Sequence, residues 1–282
     1  MRMVNCRLSV VVCVLGFLPG CGSEGGSQDG NEGGSCESDG TCDMVAVSSG
    51  PFMMGCNEAV DEDCSDNEKR YHEVDVPSFK IDMHEVTVAA YRACVNAGAC
   101  TAYQCDQSGD AHPVSCVDWN QSKEYCTWAG RRLCSEAEWE KAARGTDGRR
   151  FPWGNQTASC QYAVMAESAD GSQPGCGTGS SMSVGSKPAG ASPYGAMDMA
   201  GNVREWVEDY WHDEYTGAPA DGSAWKDPSD THRVVRGCSY DCGGDDFLRS
   251  SSRDSEKPSV AEDYIGVRCC KSLLITAQRR DP

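Results

Sequence analysis

The chain has 282 residues, 43 acidic and 25 basic, for a net charge of −18. So acidic a surface argues against nucleic acid and against anionic lipid head groups as partners, while it tolerates cations, calcium among them. Nineteen cysteines stand against isoleucine at only positions 81, 265 and 275, so cross-links must supply part of what a lean aliphatic core does not.

Arg2 and Arg7 precede the apolar run LSVVVCVLGFL from Leu8 to Leu18, which is too short to span a bilayer. With the following PGC it predicts a secretory signal over residues 1–20. LPGC, ending at Cys21, resembles a bacterial lipobox, in which cleavage before the cysteine leaves a lipid-modified N-terminus. Pro19 departs from that pattern, and the alternative is a plain secreted protein. An anchored product would sit in the bacterial cell envelope and touch membrane only through the lipid on Cys21. The next stretch, GSEGGSQDGNEGGSCESDGTCD, is almost pure Gly, Ser and acid and cannot bury enough apolar surface to fold, so residues 21–43 predict a tether. A single domain over 44–275 and a tail over 276–282 complete the expected organisation.

Loss of residues 1–20 removes two arginines, leaving 23 basic against 43 acidic residues, or −20. Setting aside Cys6, Cys13 and Cys21 leaves 16 of the 19 cysteines, an even number in an oxidising compartment, which predicts eight disulfides.

MVAVSSGPFMMGC (Met44 to Cys56) predicts a strand with a Gly-Pro turn, and His72 to Val88 two short strands interrupted by Pro77. Thr87 is positioned to cap a helix that stops at Gly98. Asp118 or Asn120 caps a second helix, on which Tyr125 and Trp128 share a face. SEAEWEKAARG holds a capping box, Ser135 with Glu138, and a stop at Gly145. Residues 165–193 are rich in Gly, Ser and Pro and predict long loops; the remainder predicts short strands and turns. The class is α+β with little regular structure, an arrangement that places function on loops.

Asp198 and Glu205 flank Gly201 and Asn202, so a tight turn could gather two carboxylates and several carbonyls around a hard cation such as calcium. The alternative is that both are ordinary polar residues beside a turn. The five histidines are scattered, with no paired spacing for zinc. GCGTGSSMSVG lacks the preceding strand and the Lys-Ser/Thr pair of a phosphate loop and reads as a surface loop. Cys238 and Cys242 lie four residues apart; in an extended chain they would stand roughly 13 Å from each other. That exceeds the roughly 7 Å limit for a disulfide, so unless Asp241 turns the chain sharply each should find a distant partner.

Taken in order, HPVSCVDWNQSKEYCTWAGRRLCSEAEWEKAARG, RRFPWGN, YGAMDMAGNVREWVEDYW, RVVRGCSY and DYIGVRC resemble the signature blocks of the formylglycine-generating enzymes, or sulfatase-modifying factors, across Val45 to Lys271. The resemblance implies a variant of the C-type lectin fold. It also implies an activity: a sulfatase cysteine is oxidised to formylglycine with molecular oxygen and a copper(I) ion held between two cysteines. It places calcium on the side chains of Asp198 and Glu205 and the carbonyls of Gly201 and Val203. A second calcium site would fall near Tyr162 to Gly177, where Ala163 and Val164 replace the expected Asn pair. It implies a disulfide between Cys126 and Cys269. For catalysis it matches Cys242 to the first copper cysteine, Ser239 to an active-site serine and Arg253 to an active-site arginine. The second copper cysteine should follow Cys242 by about five residues, and GGDDFLRSSSR contains none. Arg204 stands where the family has tryptophan, and Gly237-Cys238 where it has Gly-Gly.

One thiolate cannot give copper(I) its pair of soft ligands. The expected function is therefore an exported, calcium-stabilised module that binds a protein, peptide or glycan, a sulfatase included, without oxidase activity. The alternative is the copper- and oxygen-dependent oxidase itself. A third activity of the wider family, iron-dependent sulfoxide synthesis, usually brings a helical domain with His ligands, for which these residues leave no room.

Overall fold

The structure, a computed structural model, describes residues 43–59, 61–107, 109–227 and 231–273. The expected signal, the lipid site at Cys21, nearly all of the tether, and the tail lie outside the described residues, as do Cys36 and Cys42.

β1 (Met44–Val47) and β2 (Gly50–Met54) are separated by Ser48 and Ser49, and the expected Gly-Pro turn is corrected: Gly50 and Pro51 open β2, opposite Val76 and Asp75 of β3 (His72–Val76), while Pro77 interrupts the chain between β3 and β4 (Phe79–Asp82). Three helices follow the capping signals. In α1 (Val88–Asn96) the Thr87 hydroxyl accepts the Ala90 N–H. In α2 (Trp119–Trp128) Asp118, not Asn120, is the cap and forms a capping box with Gln121. In α3 (Glu136–Arg144) Ser135 and Glu138 form the second box, and Gly145 stops the helix at φ 71°. Each cap satisfies N–H groups that have no partner within the helix.

The strands form three sheets. β4 lies between β1 and β10 (Cys269–Ser272), and β10 continues antiparallel to β5 (Arg132–Leu133). β2 and β3 make a ribbon. The third sheet runs β8 (Arg253–Glu256), β7 (Arg233–Arg236), β6 (Arg204–Tyr210), β9 (Ile265–Val267), with only β6 and β9 parallel. Residues 165–193 carry a single 3-10 turn, Pro188–Gly190, and are otherwise loop, as expected.

Seven disulfides join the described cysteines. Two of them are anchored on consecutive residues of β10, and successive strand residues face opposite ways. Cys269 bonds Cys126 of α2, within a core that includes Tyr91, Trp206 and Val267. Cys270 bonds Cys134, just before α3, within a second core that includes Phe79, Ile81 and Trp139. The Cys126–Cys269 pairing implied by the family resemblance is present.

The expectation for Cys238 and Cys242 is corrected: they bond each other. The chain there is not extended. Gly237 and Cys238 adopt φ 92° and 55°, and the Cys242 N–H donates to the Ser239 carbonyl at 3.1 Å, closing a turn. The Cα atoms come within 6.2 Å, inside disulfide range.

Candidate functional site

At the end of β7 and the start of β8 a cavity of about 230 Å³ opens, lined on one side by Ser65, Asn67 and Glu68 and on the other by Arg236 to Cys238 and Arg253. Its floor is an ion-pair network built from α3. Every residue of α3 is buried, charged ones included. Glu136 receives both Arg253 Nε and Nη2 at 2.8 Å, Arg236 Nη1 at 2.9 Å and the Tyr215 hydroxyl at 3.2 Å. Arg236 also donates to Glu140 at 2.8 Å. Burial works against a charge on Glu136, but Arg253 and Arg236 outweigh it and hold its carboxyl below the usual range. Arg253 is further fixed between Trp211 and Tyr215, 4.5 and 4.4 Å from the ring centroids. In the cavity wall Arg249 pairs with Glu68, Nη2 to Oε1 at 2.8 Å.

The structure thus places the three expected catalytic positions. Arg253 lines the cavity but is spent on Glu136. Cys242 does not line it; its disulfide partner Cys238 does. Ser239 is buried, its N–H 3.2 Å from the Cys242 sulfur and its hydroxyl donating to Asp241 at 2.6 Å. Five residues after Cys242 comes Phe247, at the cavity and 59% exposed. The positions do not fit copper(I). Phe247 offers no ligand where the second cysteine is due, and the disulfide leaves Cys242 without a thiolate.

The expected calcium residues lie on either side of the turn that leads into β6, each with partners of its own. Asp198 is buried at φ 58° and accepts the Gly185 N–H at 2.6 Å, with His84 Nδ1 3.7 Å away. Gly201, at φ 82°, makes the turn into β6. Val203 and Glu205 follow it. Glu205 accepts Arg268 at 2.9 to 3.0 Å and the Trp139 indole at 2.7 Å. Glu85, missed in the sequence, accepts Asn202 Nδ2 at 2.7 Å and the Val203 N–H at 3.1 Å. Burial, and then the charges of Asp198 and Glu205, push its carboxyl well above the ordinary range. Arg268, bonded to Glu205, is the guanidinium whose charge also acts on Glu85 and Asp198. Near Tyr162 to Gly177, Ala163 and Val164 are buried and apolar, and Cys160 bonds Cys176.

The fold and these blocks define a class: residues 34–273 match the sulfatase-modifying factor enzyme 1-like domain, and the chain belongs to that family. The fold is its variant of the C-type lectin fold. Among its relatives, the formylglycine-generating enzyme of Mus musculus is 38% identical over 178 residues, 59% of this chain and 46% of that protein. Hercynine oxygenase of Mycolicibacterium thermoresistibile is 31% identical over 260 residues, 77% of this chain and 56% of that protein. The chain therefore spans about half the length of these relatives. Among solved structures, PvdO from Pseudomonas aeruginosa superposes with a TM-score of 0.71 at 31% identity, covering 82% of this chain and 94% of that one. Treponema denticola variable protein 1, at 21% identity and a TM-score of 0.65, shares the fold.

Proposed function

We propose that this chain is a calcium-stabilised binding module of the family, without formylglycine-generating oxidase activity, displayed at a bacterial cell envelope by a lipid on Cys21. Its ligand is a protein, peptide or glycan, a sulfatase included. The observation that carries the reading is the bond between Cys242 and Cys238, with Phe247 where the second copper cysteine is due. Export is supported by the N-terminal run before LPGC and by the density of disulfides. Calcium is supported by two buried acidic residues, Asp198 and Glu205, on either side of the turn at Gly201; Asp198, Glu205 and the carbonyls of Gly201 and Val203 would hold it.

The test of activity is incubation with copper, oxygen, reductant and a Cys-x-Pro-x-Arg peptide, read by mass spectrometry. The expected result is an unchanged peptide cysteine; conversion that disappears in Cys242→Ser would overturn the reading. For calcium, a chelator should lower the Tm of the wild type and leave that of Asp198→Ala where it was. An unchanged wild-type melt would remove the site. The oxidase alternative draws on one observation: Cys238 and Cys242 converge, so reduction would leave two neighbouring thiols. It requires that both be alkylated, together, in the protein as isolated.

A further inference from the structure

We propose that the cavity at the end of β7 and the start of β8 receives the C-terminal carboxylate of a peptide, with Arg204 as its anchor. This rests on the binding-module reading and names its ligand class. Four arginines line the cavity, Arg204, Arg236, Arg249 and Arg253. Three of them are committed to carboxylates that are themselves buried: Arg236 and Arg253 to Glu136 and Glu140, Arg249 to Glu68. Displacing any of those carboxylates would strand a buried charge, which is costly.

Arg204 differs. Its partner is Asp254, bonded to Nη1 at 2.5 Å, and the Asp254 side chain is 59% exposed. That carboxylate can rotate into water at little cost, because an exposed ion pair contributes little. The guanidinium lies over the Tyr264 ring, 5.6 Å from its centroid. Its Nε–H is buried and has no partner, leaving donor capacity that a bidentate carboxylate could use.

Two further features of the lining define the rest of the ligand. Asn67 Oδ1 is buried and also has no partner, so it offers an acceptor for one N–H. The exposed ring of Phe247 offers an apolar wall. A terminal peptide residue carries this set within one unit: a carboxylate, an amide N–H one carbon away and a side chain. About 230 Å³ suits such a residue, with the preceding chain outside. A mature chain of net charge −20 repels anions as a whole, so preference for a carboxylate over its uncharged amide requires a local cation.

The probes are acetyl-Ala-Phe-OH, acetyl-Ala-Phe-NH2 and free phenylalanine, titrated calorimetrically into the full mature chain. The acid should bind saturably and at least tenfold more tightly than the amide or the free amino acid. Arg204→Gln should reduce the acid to the affinity of the amide. Asp254→Asn should strengthen acid binding several-fold, a gain that misfolding cannot imitate. Equal binding of acid and amide, a preference that survives Arg204→Gln, or no binding of either would overturn the proposal. Free phenylalanine binding as tightly as the acid would remove the peptide from it. These failures leave the absence of oxidase activity standing, since that is read from the Cys-x-Pro-x-Arg substrate.

Discussion

The disulfides at β10 and the one at the cavity are the same covalent bond put to opposite uses. Cys126–Cys269 and Cys134–Cys270 close 143 and 136 residues of chain and are fully buried, one on each face of a single strand. Cys238–Cys242 closes four residues and leaves Cys238 in a cavity wall. Loop-closure entropy makes the first pair determinants of stability; for the second it makes geometry, the shape of one turn, the main product. A structure this poor in regular elements is held together where its disulfides span the most sequence, and is shaped locally where they span the least.

The sharpest way to break that comparison is to remove the β10 disulfides singly and together. If Cys126–Cys269 is lost while Cys134–Cys270 remains, the closed path is short: eight residues from Cys126 to Cys134, the remaining bond, and one step to Cys269. Restoring the lost bond then closes a loop of about ten residues, worth roughly 3 kcal/mol. With both gone, the second removal frees a loop of about 140 residues, roughly 5 kcal/mol more. Each serine double substitution should therefore cost about 3 kcal/mol and the quadruple about 8 kcal/mol, measured by urea unfolding, well beyond the sum of the two. Additive losses would mean that the two cores come apart independently.

Cys238→Ser with Cys242→Ser should cost about 2 kcal/mol, the value for closing so short a loop. Its larger effect should be local, with amide exchange at Ser239 to Asp241 accelerating while β10 stays protected. Global loss of protection would assign this bond the same role as the β10 pair.

Local signals made much of this legible in the sequence. Thr87, Asp118 and the Ser135–Glu138 box are read within four residues, and each cap stands where predicted. Cys238–Cys242 was misjudged because strand parity assumes an extended chain, whereas a positive φ at a non-glycine residue has no periodic signature. The floor of the cavity was invisible for another reason. Glu136 and Arg253 are 117 residues apart, Arg249 and Glu68 181. EAEWEKAAR, rich in charge, gives no hint that all nine residues are buried. The one available signal was the density of acids in that helix with arginines in the strands that follow. Cys242, Ser239 and Arg253 were found through the family blocks alone, and Glu85 was not found at all.

A pH response separates the two regions, and the share of it that Asp82 carries is the smallest expected effect. Asp82 sits at the β10 staples, taking the Cys269 N–H at 3.0 Å and pairing with Arg131. Burial pushes its carboxyl up to about 7 against the pull of Arg131. Asp209, beneath α3, is raised to about 8 by burial and by the charge of Glu136. A carboxyl whose folded pKa lies above its unfolded value holds a proton in the native state that the unfolded chain has lost, so stability grows as pH falls from 8 towards 6. For Asp82 that gain is about 1 kcal/mol over this interval, visible as a Tm that rises on acidification, with Asp209 adding in the same direction. Asp82→Asn should keep the Asp209 part of the rise and lose its own. The Cys238→Ser, Cys242→Ser variant should keep the whole of it, since neither carboxyl touches the turn. A pH response that vanished with the short disulfide instead would show that the cavity turn and the β10 core are one cooperative unit.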